Sequence, residues 1–169
     1  AAYAAAAVIV LSGIHACGLK RGTRLQNTLT AIKLLGLCLL VAAGFSHVLM
    51  TRERSVSVTG TVARTSAGAV AHLHLYQVVN LAETLDALKK HGYWIYGTVA
   101  EQDAESIYAT DFSGPICVVI GSEGKGLRPL VRKQCDFLVT IPMRAAFNSL
   151  NASVAAAVVM FEIARRVSR

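Results

Sequence analysis

Two short segments carry residue types that packing alone does not ask for. The first is Gly121-Ser-Glu-Gly-Lys-Gly-Leu127, directly after an apolar run. Three glycines within six residues permit positive φ and close approach of backbone to a ligand. Glu123 sits among them, and an acid inside a glycine turn has no packing role. The spacing is neither the GxxxxGKS or GxxxxGKT of a P-loop nor the GxGxxG of a dinucleotide site. The second segment is Ile141-Pro-Met143, followed by Asn148-Ser-Leu-Asn-Ala-Ser153. Ser149 and Asn151 are small polar groups where a helix opens; there they either cap the helix or join its free N–H groups in meeting a ligand. Together the two loops suggest a small-molecule pocket.

The surrounding pattern must place both loops at one end of a sheet. His47–Thr51 reads as a buried strand closed by the charged turn Arg52–Ser55. Thr59–Ala69 has helical spacing, with Gly68 suited to its end, and Leu75–Val79 reads as a second strand. Asn80 is an N-cap for a helix over Leu81–Lys90, with Glu83 as its capping-box partner, Lys89 and Lys90 in the last turn, and Gly92 as terminator. Tyr93–Val99 and Ile116–Gly121 are further strands, the latter uniformly apolar as a central parallel strand should be. A short helix over Arg128–Cys135, a strand over Phe137–Ile141 and a final helix over Leu150–Val167 complete the chain. Strands alternating with helices predict an α/β fold with a mostly parallel sheet, whose carboxyl ends bind ligands.

Composition narrows the class. The chain has 169 residues, enough for one domain with a sizeable core, and carries 17 Lys and Arg against 10 Asp and Glu, a net +7. With 54% hydrophobic residues it is no disordered basic tail. A mean hydropathy of +0.49 asks for either a membrane segment or extra surface buried by a partner. The excess is local. Residues 1–50 contain Lys20, Arg21, Arg24 and Lys33 and no acid, and the stretches 1–19 and 34–50 are uncharged. Each is borderline or short against the roughly 20 apolar residues of a spanning helix. Cys17, Cys38, Cys117 and Cys135 form no CxxC or CxxH, so they read as buried thiols of a reducing compartment, with no metal site expected. His72 and His74 read as ordinary surface or core histidines.

Gly121–Leu127 (GSEGKGL), Ile141–Met143 (IPM) and Ser149–Ala156 (SLNASVAA) resemble motifs 2 and 3 of the SpoU (TrmH-like) RNA 2′-O-ribose methyltransferases. The resemblance extends through Val79–Thr98, Thr61–Ala69 and Ala42–Leu49, about three quarters of the chain. It is most like the branch that modifies a guanosine in large-subunit ribosomal RNA. The resemblance implies a SPOUT-type parallel sheet with a C-terminal deep trefoil knot, a topology that periodicity never suggests. It implies S-adenosylmethionine as cofactor, in a pocket lined by Thr98, Gly121, Ile141, Met143 and Leu150. Glu123, Ser149 and Asn151 would be the polar active-site positions, and a homodimer would form through the last helix.

Residues 1–41 depart from this pattern. The family's motif 1 has an Asn and, six residues later, an Arg; counting back from Gly44 puts Ile32 and Cys38 there. Asn27 and Lys33 have the right separation but the wrong register. The stretch from Gly18 to Gly44 instead resembles a piece of an APC-type amino-acid permease. The expected division is therefore an atypical apolar, basic segment over 1–41 and a SpoU-like methyltransferase domain over 42–169.

Three function classes compete on these residues. A methyltransferase acting on structured RNA, with ribosomal RNA the expected substrate, fits the basic cluster Lys125, Arg128, Arg132, Lys133 and Arg144, of which Lys125, Arg128 and Arg144 are the expected RNA contacts. A catalytically impaired RNA- or cofactor-binding module fits the altered motif 1. A transporter fragment rests on residues 1–44 alone, too little for two complete spans. The first reading leads, and with it a cytoplasmic location and no membrane partner.

Overall fold

Parallel strands organise this molecule, and their order decides where a ligand can sit. The structure is a computed structural model that describes residues 43–51, 72–101, 103–122, 126–143 and 150–167. The expected helix over 59–69, the atypical segment 1–41 with Cys17, Cys38, Asn27 and Lys33, and the loop residues Glu123, Lys125, Arg144 and Ser149 lie outside the described residues.

The described elements run β1 (His47–Thr51), β2 (His74–Val78), α1 (Leu81–Lys90), β3 (Trp94–Thr98), β4 (Glu105–Ser106), β5 (Ile116–Val119), α2 (Pro129–Gln134), β6 (Phe137–Thr140) and α3 (Ala152–Val167). β1 and β2 pair in parallel, with His47 opposite His74. The other strands form a sheet in the order β4-β6-β3-β5, and every pair in it is parallel. β6, the last strand in sequence, therefore lies between β3 and β4. Strand β3 has neighbours on both sides, so the loops leaving β3, β5 and β6 converge at one carboxyl edge, where open α/β sheets bind ligands.

Alternation along the strands builds two cores. Tyr96, Ile116, Val118, Ile120 and Val139 face α3, whose Ala156, Val159, Met160 and Ile163 form a buried stripe at helical spacing. Ile95, Cys117 and Val119 face the other way, against Leu81 and Leu85 of α1 and Val131 of α2. All four residues of β5 are buried, which explains its unbroken apolar sequence.

α1 begins and ends where its sequence signals lie. The Asn80 Oδ1 accepts the Glu83 N–H at 3.4 Å, and the Thr84 hydroxyl donates to the Asn80 carbonyl at 2.8 Å. Gly92, at φ +83°, ends it in the left-handed region. Lys89 does more than complement the helix dipole: its ammonium meets Asp136 Oδ1 at 2.6 Å, while Asp136 Oδ2 accepts the Ile95 N–H at 2.9 Å. That pair ties the end of α1 to the starts of β3 and β6.

Several boundaries move. β2 starts at His74 and stops at Val78, because Val79 leaves the strand to lead into the Asn80 cap and is 81% exposed. β3 and β5 are shorter than their apolar runs, since their last residues bend into the ligand-facing loops. α2 spans Pro129–Gln134 rather than Arg128–Cys135, with Pro129 at its first position and Arg128 as its N-cap residue. β6 ends at Thr140, and α3 starts at Ala152 because Asn151 caps it. The two-residue β4 carries no periodicity that a sequence pattern could reveal.

α3 also buries an acid that sequence reading passed over. Glu162 accepts from Arg165 at 2.9 and 2.7 Å and from Arg166 at 2.7 Å, and Arg166 also donates to the Tyr108 carbonyl. These guanidinium hydrogen bonds hold its carboxyl down at about 2, from an ordinary 4.5. A depressed carboxylate stabilises the fold above its unfolded-state pKa and loses that contribution as pH falls toward the folded value. Glu162→Gln should therefore cost about 1 kcal/mol at neutral pH, discounted for the solvent-exposed arginine. The difference from wild type should shrink between pH 4.5 and 2, as followed by urea melts across that range.

Candidate functional site

The converging loops enclose a cleft of about 570 Å³, within the range of small-molecule sites. β3 contributes Thr98, Val99 and Ala100; β5 contributes Ile120, Gly121 and Ser122, with Gly126 closing its loop. β6 supplies Thr140, Ile141 and Met143, and the start of α3 supplies Leu150, Asn151, Ala152 and Ala155. None of these described lining residues is ionisable. The walls they form are backbone and apolar groups, with a few hydroxyls and the Asn151 carboxamide.

Each wall is held for a local reason. The Thr98 hydroxyl donates to the Val119 carbonyl at 3.2 Å, joining the tips of β3 and β5. After β5 the chain folds back on itself: Ser122 N–H donates to the Gly126 carbonyl at 3.0 Å, and Gly126 N–H to the Ser122 carbonyl at 2.9 Å. The Ser122 hydroxyl adds a bond to the same Gly126 carbonyl at 3.2 Å. This closure brings backbone so near Gly121 that a Cβ there would lie 2.7 Å from the Gly126 carbonyl carbon. Gly126, at φ +61°, supplies the left-handed turn. At the last wall, Asn151 Oδ1 accepts the Ser153 N–H at 2.9 Å, and its carbonyl accepts the Ala155 N–H at 2.9 Å. Asn151 is thus the N-cap of α3 as well as a lining residue.

The sequence-selected residues fall into three groups. Thr98, Gly121, Ile141, Met143, Leu150 and Asn151 come together around this one cleft, from four separate elements. Glu123, Ser149, Lys125 and Arg144 lie outside the described residues. Arg128 is exposed at the start of α2 and does not line the cleft. Arg132, read from sequence as part of the basic cluster that fits RNA, donates both Nη atoms to Glu101, at 2.5 and 2.6 Å. Val99, Ala100, Thr140 and Ala155 were not singled out from sequence; only their adjacency to a marked residue, or one helical turn from Asn151, signals them.

The two described cysteines are not poised for chemistry. Cys117 is fully buried, and neither it nor Cys135 is joined in a disulfide. Burial, followed by the charge of Asp136, pushes the Cys135 thiol up to about 11, so it stays protonated at neutral pH. Among the described residues no group of three His, Cys, Asp or Glu is placed to hold a metal, and no helix is long and apolar enough to cross a membrane.

Comparison with known proteins follows the same residues. The model of the SpoU rRNA methylase family matches residues 38–161. A 23S rRNA (guanosine-2′-O-)-methyltransferase of Ralstonia nicotianae is 45% identical over 136 residues, covering 79% of this chain and 54% of that protein. The corresponding Pseudomonas aeruginosa protein is 42% identical over 134 residues, covering 78% of this chain and 54% of its own. This chain thus spans about half the length of these curated relatives. In fold it is similar to the SpoU methyltransferase AviRb of Streptomyces viridochromogenes, solved in complex with its cofactor AdoMet. The TM-score is 0.77 at 21% identity, over 100% of this chain and 63% of the other. None of these relatives is a permease, so the permease likeness of residues 1–41 rests on sequence pattern alone. The matched segment holds the glycine turn, the IPM loop and the cap of α3 that build the cleft, and with it this chain belongs to the SpoU rRNA methylase family.

Proposed function

We propose that this chain carries the catalytic domain of an S-adenosylmethionine-dependent methyltransferase that modifies a ribose 2′-OH of structured RNA, with ribosomal RNA as substrate. The observation that carries the reading is the cleft of about 570 Å³ at the carboxyl ends of three parallel strands, whose described lining residues carry no charge, with a wall at Gly121 that has no room for a Cβ. S-adenosylmethionine fits those features: its adenine asks for apolar walls and backbone partners, and Ile120, Ile141, Met143 and Leu150 supply the former. The curated relatives add the substrate class, being named for guanosine-2′-O-methylation of 23S rRNA.

Within this reading Thr98, Gly121, Ile141, Met143 and Leu150 hold the cofactor, which when bound supplies an electrophilic methyl group. The chain's own residues do the rest: align the hydroxyl, accept its proton and grip the phosphates. Glu123, Ser149 and Asn151 are the polar groups at the reacting end. Asn151 also caps α3, its side-chain oxygen accepting the Ser153 N–H. Lys125, Arg128 and Arg144 are the phosphate contacts, and Arg128 is exposed with no cap bond to its side chain.

Three further features belong to the proposal. A homodimer through α3 is supported by the helix's outward Val154 and Phe161, 45% and 44% exposed, which a partner would cover. A C-terminal trefoil knot is supported by β6 lying inside the sheet, between β3 and β4, so that the chain leaves from its middle. The methyltransferase unit spans 42–169, with 1–41 as a distinct atypical segment, and rRNA as substrate implies the cytoplasm. The family match beginning at residue 38 favours one second reading, a module that binds cofactor without turning it over.

Calorimetry with S-adenosylmethionine beside a methyl-transfer assay on 23S rRNA tests all this. Binding with transfer to a guanosine 2′-oxygen is the expected result; binding without transfer would establish the impaired module, and neither would end the cofactor reading. Asn151→Ala should lower stability by about 1 kcal/mol as a lost cap. If it also lowers kcat at unchanged cofactor affinity, the side chain acts beyond the cap.

A further inference from the structure

Glu101 and Arg132 stand 31 residues apart in sequence, yet their side chains meet in a two-pronged ion pair at 2.5 and 2.6 Å. Glu101 directly follows Thr98, Val99 and Ala100, which line the cleft. Arg132 projects from α2, a helix that begins three residues after Gly126, another lining residue. The pair therefore ties the segment after β3 to the helix into which the Gly126 turn leads.

α2 is a firm anchor for such a tie. Its Val131 is buried with Leu81, Leu85 and Ile95, and Leu127 just before it packs so tightly that a Cβ on Gly97 would lie 2.8 Å from Leu127 Cδ1. The β3 side is held less deeply. Val99 N–H donates to the Val139 carbonyl at 2.9 Å, and beyond it the chain turns toward the surface at Glu101. A guanidinium fork on a carboxylate fixes direction as well as distance, which a single-point contact does not. Each partner also shifts the other's proton equilibrium toward the charged form: Glu101 is lowered by its hydrogen bond to Arg132, and Arg132 is raised by the same bond. The pair stays ionised across the neutral range.

We infer that Glu101 and Arg132 are positioning residues for the cleft, clamping the Val99–Ala100 wall onto α2 so that the two loops present one fixed surface to the cofactor. The inference rests on the reading of the cleft as the S-adenosylmethionine site. Neither residue touches the ligand in this account; both act through Val99 and Ala100.

The test uses the full chain with Glu101→Gln, Arg132→Gln and the charge swap Glu101→Arg with Arg132→Glu. Calorimetry with S-adenosylmethionine should show each single variant weakened about fivefold and the swap restored to within about twofold of wild type. Amide exchange by NMR on the ligand-free chain should show Val99 exchanging about fivefold faster in the single variants, while buried β5 amides and Tm stay put. Wild-type affinity in both single variants, or a swap that restores nothing, overturns the inference. Unchanged Val99 exchange overturns it as well. A wild-type chain that fails to bind S-adenosylmethionine while Val99 still responds to the variants overturns the cofactor reading and leaves the clamp standing.

Discussion

Gly121→Ala is expected to abolish S-adenosylmethionine binding, with a loss of at least ~100-fold in affinity. The added methyl would lie 2.7 Å from the Gly126 carbonyl carbon, 3.0 Å from its Cα and 3.0 Å from Leu127 N. All three are backbone atoms, so no side chain can rotate away. The clash is relieved only by opening the paired turn in which Ser122 and Gly126 exchange backbone hydrogen bonds at 3.0 and 2.9 Å. That turn forms one wall of the cleft. Overpacking of this kind costs about 1–3 kcal/mol of stability, and any relaxation that recovers it displaces the wall. Isothermal calorimetry reads the affinity, and a thermal melt shows that the variant is still folded. A folded Gly121→Ala chain with wild-type affinity would show that the β5 loop is not part of the cofactor site. Gly126→Ala makes a useful contrast: among the described residues nothing lies within 4 Å of a Cβ there, so its penalty comes from φ +61° and should be smaller.

The second large effect is on stability. Asp136→Ala should lower the unfolding free energy by about 2–4 kcal/mol and the Tm by about 6–12 °C. Its carboxylate accepts the Ile95 N–H at 2.9 Å and pairs with Lys89 at 2.6 Å, while its own N–H donates to the Ile95 carbonyl at 2.8 Å. Ile95 is fully buried, so removing the carboxylate leaves its N–H without an acceptor in an apolar layer. Lys89→Met should cost much less, because the Lys89 ammonium is about a third exposed and its removal leaves Asp136 bonded to Ile95. Urea melts of the two variants give the ranking directly, and equal losses would mean that the ion pair rather than the Ile95 bond carries the effect. The junction holds the amino end of β3, so cofactor affinity measured well below the Tm should not change.

Much of the α/β scaffold is legible in the sequence because its signals are local. Asn80 with Glu83 marks the start of α1, Gly92 its end, and the unbroken run Ile116–Val119 a strand buried on both faces. β4 is not legible, since two polar residues carry no period; it exists because β6 offers it an edge. Charge is legible only as a total. Arg132 and Arg128 look alike in sequence, yet one is held by Glu101 and the other is exposed, because the partner 31 residues away is brought in by folding. Glu162 is similar: an acid on an apolar helix looks like a solvent-facing residue until Arg165, Arg166 and the Tyr108 carbonyl are seen around it.

The candidate site divides along the same line. By itself the sequence determined which segments are chemically unusual, namely the glycine turn from Gly121, the Ile141-Pro-Met143 loop and the polar opening of α3, because residue type and spacing state what a backbone can do locally. That these segments and Thr98 share one cleft follows from strand order, which no local pattern encodes. β6 lies beside β3 and β3 beside β5, so residues up to 53 positions apart end at the same edge of the sheet. Folding also explains why Gly121 must be glycine. The obstacle is the backbone of Gly126 folded back upon it, a contact that exists only once the turn has closed.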